Sequence, residues 1–127
     1  MNLPNLAAAA LMTLLFFVHL FMGTPKVLDP IQASDLSLPL IAISSVIWHA
    51  ISALLAIFAA ALFVHARKEN TALMLTISAV NIAVAALFLF YGATLMGNIF
   101  TPMPHWIFFL AVVGLNLWGF IRANAAR

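Results

Sequence analysis

The chain has 127 residues, of which 66% are hydrophobic and 6% charged, and a formal net charge of +2. A water-soluble domain carries about a quarter charged residues, so this chain has too little polar surface to coat a soluble globule. The small basic excess comes from five basic against three acidic residues without a basic patch, which leaves no nucleic-acid signal, and cysteine is absent, which excludes disulfides, thiol redox chemistry and thiolate metal sites.

Four apolar runs, near 5–23, 38–65, 72–96 and 104–121, contain no Asp, Glu, Lys or Arg. Each approaches or exceeds the roughly 20 residues that cross a hydrocarbon core about 30 Å thick. The expected fold class is therefore all-α: an integral membrane four-helix up-down bundle forming a single transmembrane domain over 1–127. The first run resembles a signal peptide only superficially. It lacks a basic leading segment, and Gly23-Thr24-Pro25-Lys26 offers no small-x-small cleavage site, so it is read as a retained span. Pro4 suits a helix start, where its missing N–H is not needed.

The 24–37 segment is read as a loop, because Pro25, Pro30 and Pro39 argue against one continuous helix. Short connections at 66–70 and 97–103 make sequential spans antiparallel neighbours. Arg67, Lys68, Arg122 and Arg127 then share one side, whereas the other side has Lys26 with Asp29 and Asp35. The excess of basic residues predicts that both termini are cytoplasmic (N-in, C-in) in a bacterial inner, or plasma, membrane. Trp106 and Trp118 fall near opposite ends of span four, as interfacial tryptophans do, while Trp48 is too deep for that role.

Inside a bilayer, helix contacts are marked by small or polar residues at helical spacing. Span two has Ser45, His49, Ser52, Ala56 and Ala60 on one stripe; span three has Ser78, Asn81, Ala85, Gly92 and Met96. Span one offers Ala8, Met12, Leu15 and His19, and span four Val113, Asn116 and Phe120 with Gly114 and Gly119 nearby. Each stripe has one strongly polar member, and an imidazole or amide in hydrocarbon must find a partner. The four stripes are expected to face one another.

His49 sits near the expected midplane, roughly 15 Å below the outer end of its span. It either lines a cavity and binds a metal, a haem iron, a proton or a polar ligand, or it fixes helix register by bonding a carbonyl or Asn116. The ligand-binding candidates are His49, Asn116, Asn81, Trp48 and Tyr91; the metal candidates are His19, His49 and His105, with Met22, Met96 and Met103 as soft donors. No pair has a recognised ligand spacing, and His19 is expected roughly 9 Å above His49, which opposes a bis-histidine haem. His105, in a first helical turn, is expected to be neutral near neutral pH. His65 belongs to the inner basic cluster. Asp29 and Asp35 either lie in a solvated loop or fold over the bundle mouth to orient His19 or His105.

No Gly-rich phosphate loop and no Ser-His-Asp set at one depth are present. No span contains the carboxylate that small four-span proton-coupled exporters use. Two readings remain: binding of a small ligand or metal in an outer-facing cavity centred on His49, or an accessory subunit of a larger membrane complex whose polar residues serve packing. Either fits a homo-oligomer or a membrane-protein partner, because four short helices enclose little volume.

Overall fold

The computed structural model describes residues 1–101 and 104–125. It is all-helical, and four helical segments are long and apolar enough to cross a membrane: Leu3–Gln32, Leu38–Arg67, Thr71–Leu95 and Trp106–Ala125. These make the chain a multi-pass membrane protein in composition and length.

The first segment is longer than its apolar run. Helix α1 (Leu3–Phe17) opens at Asn2, whose side chain accepts the Asn5 N–H at 3.4 Å, with Pro4 in the first turn. The chain then widens into a π-helical stretch over Val18–Gly23, tightens into a 3₁₀ turn over Thr24–Lys26 and continues as α2 (Leu28–Gln32). The expected loop over 24–37 shrinks to 33–37. Pro25 and Pro30 are accommodated because the helix changes register ahead of each of them. Both fall in the first turn of a new helical piece, where no intrahelical N–H bond is lost. Pro39 stands likewise at the start of α3 (Leu38–Arg67). Helices α4 (Thr71–Leu95) and α5 (Trp106–Ala125) complete the fold.

Ala8, Ala9, Met12 and Leu15 of α1 form the centre of the core, with Leu55 and Leu62 of α3, Ile77 of α4 and Val112 of α5. The small side chains of Ala8 and Ala9 let α1 approach its neighbours closely, the device that membrane helices use when water supplies no driving force. Helix α1 packs along α3 and α5, and α5 packs along α4; α3 and α4 meet only sparsely. Most large apolar side chains point outward, Val46 and Ile57 among them, as they do where lipid is the solvent.

The expected contact stripes hold in the main for three helices. Ala8, Met12 and Leu15 are buried and His19 is half-buried; Ser78, Asn81, Ala85 and Gly92 are buried, though Met96 is exposed; Val113, Asn116 and Gly119 are buried, whereas Phe120 is half-buried and Gly114 exposed. The stripe on α3 is rotated. Ser52 is buried, but His49 and Ala60 are exposed, and the buried face runs instead through Ser52, Leu55, Leu62 and Ala66. In an apolar helix of 30 residues, small side chains occur on every face, so their alignment alone does not fix the packed side. Met103 and Arg127 lie outside the described residues.

One end of the bundle is pinned by asparagines. The backbone N–H of Asn2 donates to the Ala66 carbonyl at 2.8 Å, and its side-chain amide donates to the Gly119 carbonyl, also at 2.8 Å. The start of α1 is thereby held between the ends of α3 and α5. At the same end Asn70 accepts the Leu73 N–H at 3.0 Å and caps α4. Its own N–H donates to Nδ1 of His65 at 3.0 Å. Replacing Asn70 by alanine is expected to lower stability by about 1 kcal/mol, the usual worth of such a cap, read as a lower thermal midpoint in mild detergent. An unchanged midpoint would show that the cap is dispensable.

Candidate functional site

The π-helical stretch is where the fold departs most from regularity. Adding a residue to the turn redirects the side chains that follow, and such turns are common at functional sites. Here His19 is the second residue of the stretch and Gly23 its last. Gly23 lies under the indole of Trp48: a Cβ there would come within 3.0 Å of two Trp48 ring carbons. Glycine thus lets the large ring of α3 lie flat against the first span.

The imidazole of His19 stacks on that indole, with centroids 4.0 Å apart and planes 21° from parallel. Nε2 of His19 is 3.3 Å from the Trp48 carbonyl oxygen. A carbonyl accepts only, so this bond requires the proton on Nε2 and leaves Nδ1 of a neutral ring as an acceptor. The same carbonyl accepts from the Ser52 hydroxyl at 3.1 Å, and the Trp48 indole N–H donates to Oγ1 of Thr24 at 3.1 Å. Two bonds and a stack therefore fix both rings. Both residues are half-buried, so each stays partly accessible.

His49 follows Trp48 on α3. His105 stands just ahead of α5 and stacks on Phe88, centroids 5.0 Å apart, and Phe88 stacks in turn on Phe109 at 5.9 Å. The three metal candidates stand on three parts of the chain: His19 in the π-helical stretch, His49 in α3 and His105 ahead of α5. Among the described residues, however, no three His, Asp or Glu side chains come close enough to hold a metal ion. A metal approaching Nε2 of His19 would also have to displace the Trp48 carbonyl.

Several expectations about these residues are corrected by their positions. His19 lies level with Trp48, and so close to the level of His49, rather than roughly 9 Å above it. Helical structure continues past Gly23 to Gln32, so His19 lies deeper than it would in a span that ended at Gly23. His49 is exposed instead of facing the bundle interior, and the Asn116 amide bonds Ser78 rather than His49. Asn81 and Asn116 are buried between α4 and α5 and form a separate polar group. Tyr91 is exposed and packs edge-on against Phe90 at 5.2 Å. Asp29 and Asp35 are both exposed. Segment α2 packs on α3, where the Gln32 amide donates to the Ser45 hydroxyl at 3.1 Å.

Sequence reasoning missed Gly23 and Thr24 as parts of the site, and it misplaced His65. That ring is only 2% exposed and receives the Asn70 N–H, so it closes the turn between α3 and α4 instead of joining a solvated basic cluster. The available signal was its place one turn ahead of a capping asparagine. No family model matches this chain, and neither a curated protein nor a solved structure does.

Proposed function

We propose that this membrane protein binds a small ligand in the half of the bilayer that holds His19, with the His19–Trp48 stack as the binding platform. The observation that carries the reading is the π-helical stretch that presents His19 to Trp48 over Gly23. The half-buried aromatic slab suits a flat, largely apolar molecule dissolved in the membrane. The free Nδ1 of His19 suits a hydroxyl or N–H on that molecule. Exposed His49 follows Trp48 directly in α3. The proposed centre is His19 and Trp48 rather than His49.

The accompanying topology is an up-down bundle with both termini cytoplasmic, in the plasma membrane of a bacterium. The basic residues Arg67, Lys68 and Arg122 near one end support that orientation, since basic residues favour the cytoplasmic side. The platform then opens toward the outer leaflet.

Small molecules extracted from protein purified in mild detergent test the reading. Mass spectrometry is expected to find a species that is enriched with the wild type and lost with His19→Ala. Absorption spectra and elemental analysis on the same samples test haem and metal. Identical extracts from both proteins would refute the platform.

A second reading is favoured by a specific observation. His49 is exposed on an otherwise apolar surface, and α3 makes few contacts with α4. An imidazole facing lipid is costly, and a helix of another membrane subunit, or of a second copy, would relieve that cost. In that case a stable partner chain co-purifies in mild detergent, and His49→Ala releases it.

A further inference from the structure

A second polar group lies away from the histidines, between α4 and α5. Asn116 is fully buried, Asn81 is 1% exposed and Ser78 is 6% exposed. The Asn81 amide N–H donates to the Ile77 carbonyl at 2.7 Å, and the Asn116 amide N–H reaches the Ser78 hydroxyl oxygen at 3.5 Å. The side-chain oxygens of both asparagines are buried without a partner. Ser78 and Asn81 are three residues apart and share a face of α4. Two unpaired acceptors thus occupy adjacent turns of one helix contact, linked through Ser78.

Exchanging the oxygen and nitrogen of Asn81 does not cure the deficit, because the Ile77 carbonyl already takes the amide N–H. At Asn81 the missing group is therefore a hydrogen-bond donor; at Asn116 the same exchange would let the Ser78 hydroxyl donate to the oxygen and leave the N–H unpaired, so the group there must be able to donate or to accept, as water is. No charged residue lies within 72–95 or 106–121, so a cationic donor would have no counter-charge and a neutral donor suits the place. Hydrocarbon supplies no donor, and leaving two amide oxygens bare in one contact is strongly unfavourable. A water molecule carries two O–H donors and is stable in a buried site with two to four polar partners.

We propose that a water molecule is bound between α4 and α5, donating to the side-chain oxygens of Asn81 and Asn116 beside the Ser78 hydroxyl. It belongs to the fold and does not depend on a ligand at His19. It also ties the two helices together where neither side chain alone reaches the other's oxygen.

Solid-state NMR of asparagine-labelled protein in lipid bilayers tests this. Magnetisation transfer from water protons is expected to reach the side-chain carbons of both Asn81 and Asn116, although neither is accessible to solvent. In Asn116→Leu the Asn81 signal is expected to be lost and the thermal midpoint to fall by several degrees. Should that variant fail to fold, Asn81→Leu serves with Asn116 as the observer. The proposal is overturned if water reaches neither carbon, or if transfer comes from protons of an organic molecule. It is equally overturned if Asn116→Leu raises the midpoint, as removal of an unsatisfied acceptor would.

Discussion

Gly119→Ala is expected to destabilise the protein strongly, whereas Gly114→Ala, five residues earlier in the same helix, is expected to be neutral or mildly stabilising. A Cβ at Gly119 would run into the side-chain oxygen of Asn5, and would lie 2.7 Å from Cγ of Asn5 and 2.8 Å from Oδ1 of Asn2. Neither neighbour can swing clear. Asn5 is 1% exposed, and Asn2 is held by its bonds to Ala66 and Gly119. Overpacking of this kind costs about 1–3 kcal/mol. The loss should be at the high end, because relieving the clash pushes α1 away from α5 and breaks the bond from Asn2 to the Gly119 carbonyl. At Gly114 an added methyl meets nothing within 4 Å, and the gain in helix propensity is up to about 1 kcal/mol. Thermal midpoints in one detergent, measured side by side, decide the matter. Equal midpoints for the two variants would mean that α1 does not approach α5 at Gly119.

Disturbing the His19–Trp48 stack is expected to have the largest effect on binding. Gly23→Val would place branched carbons where the Trp48 ring now lies, so the indole must leave either the imidazole or Thr24. Aromatic stacking of this kind is worth about 0.5–1.5 kcal/mol beyond the area it buries. Losing about 1.4 kcal/mol corresponds to a tenfold loss of affinity, so retention of a co-purifying ligand should fall by about that factor. The stack itself can be read without a ligand. With Trp106 and Trp118 replaced by phenylalanine, Trp48 is the sole indole, and an imidazolium in contact quenches indole emission. Its fluorescence is therefore expected to change with pH as the His19 ring takes up a proton. The response should vanish in His19→Ala and lose most of its amplitude in Gly23→Val. A pH response that survives His19→Ala would place another group against Trp48 and refute the stack.

Much of the outline follows from the order of residues alone. Four runs without Asp, Glu, Lys or Arg become four helical segments, because their lengths and apolarity leave the helix as the one way to satisfy every backbone group. The positions of Asn81 and Asn116 in buried contacts also follow, since small and polar residues mark the packed faces of α4 and α5. Pro25 and Pro30 misled, because a proline ends a helix only if its N–H and the turn before it are needed. The π and 3₁₀ pieces removed both needs, which carried the first helical segment on to Gln32 and brought His19 level with Trp48.

Two features were decided only in three dimensions. Which face of α3 packs is set by its contact with Ala8, Ala9 and Met12 of α1, and so His49 is exposed while Trp48 turns toward His19. Periodicity cannot choose between faces that are all apolar. The assignment of the two rings to one site depends on Gly23, a residue without a side chain whose role exists only because Trp48 of a different helix lies upon it. The sequence by itself determined the number, length and character of the spans, through local hydropathy and backbone hydrogen bonding. Their rotation and mutual depth, and with them the site, came from side-chain shape across helices, which no single segment encodes.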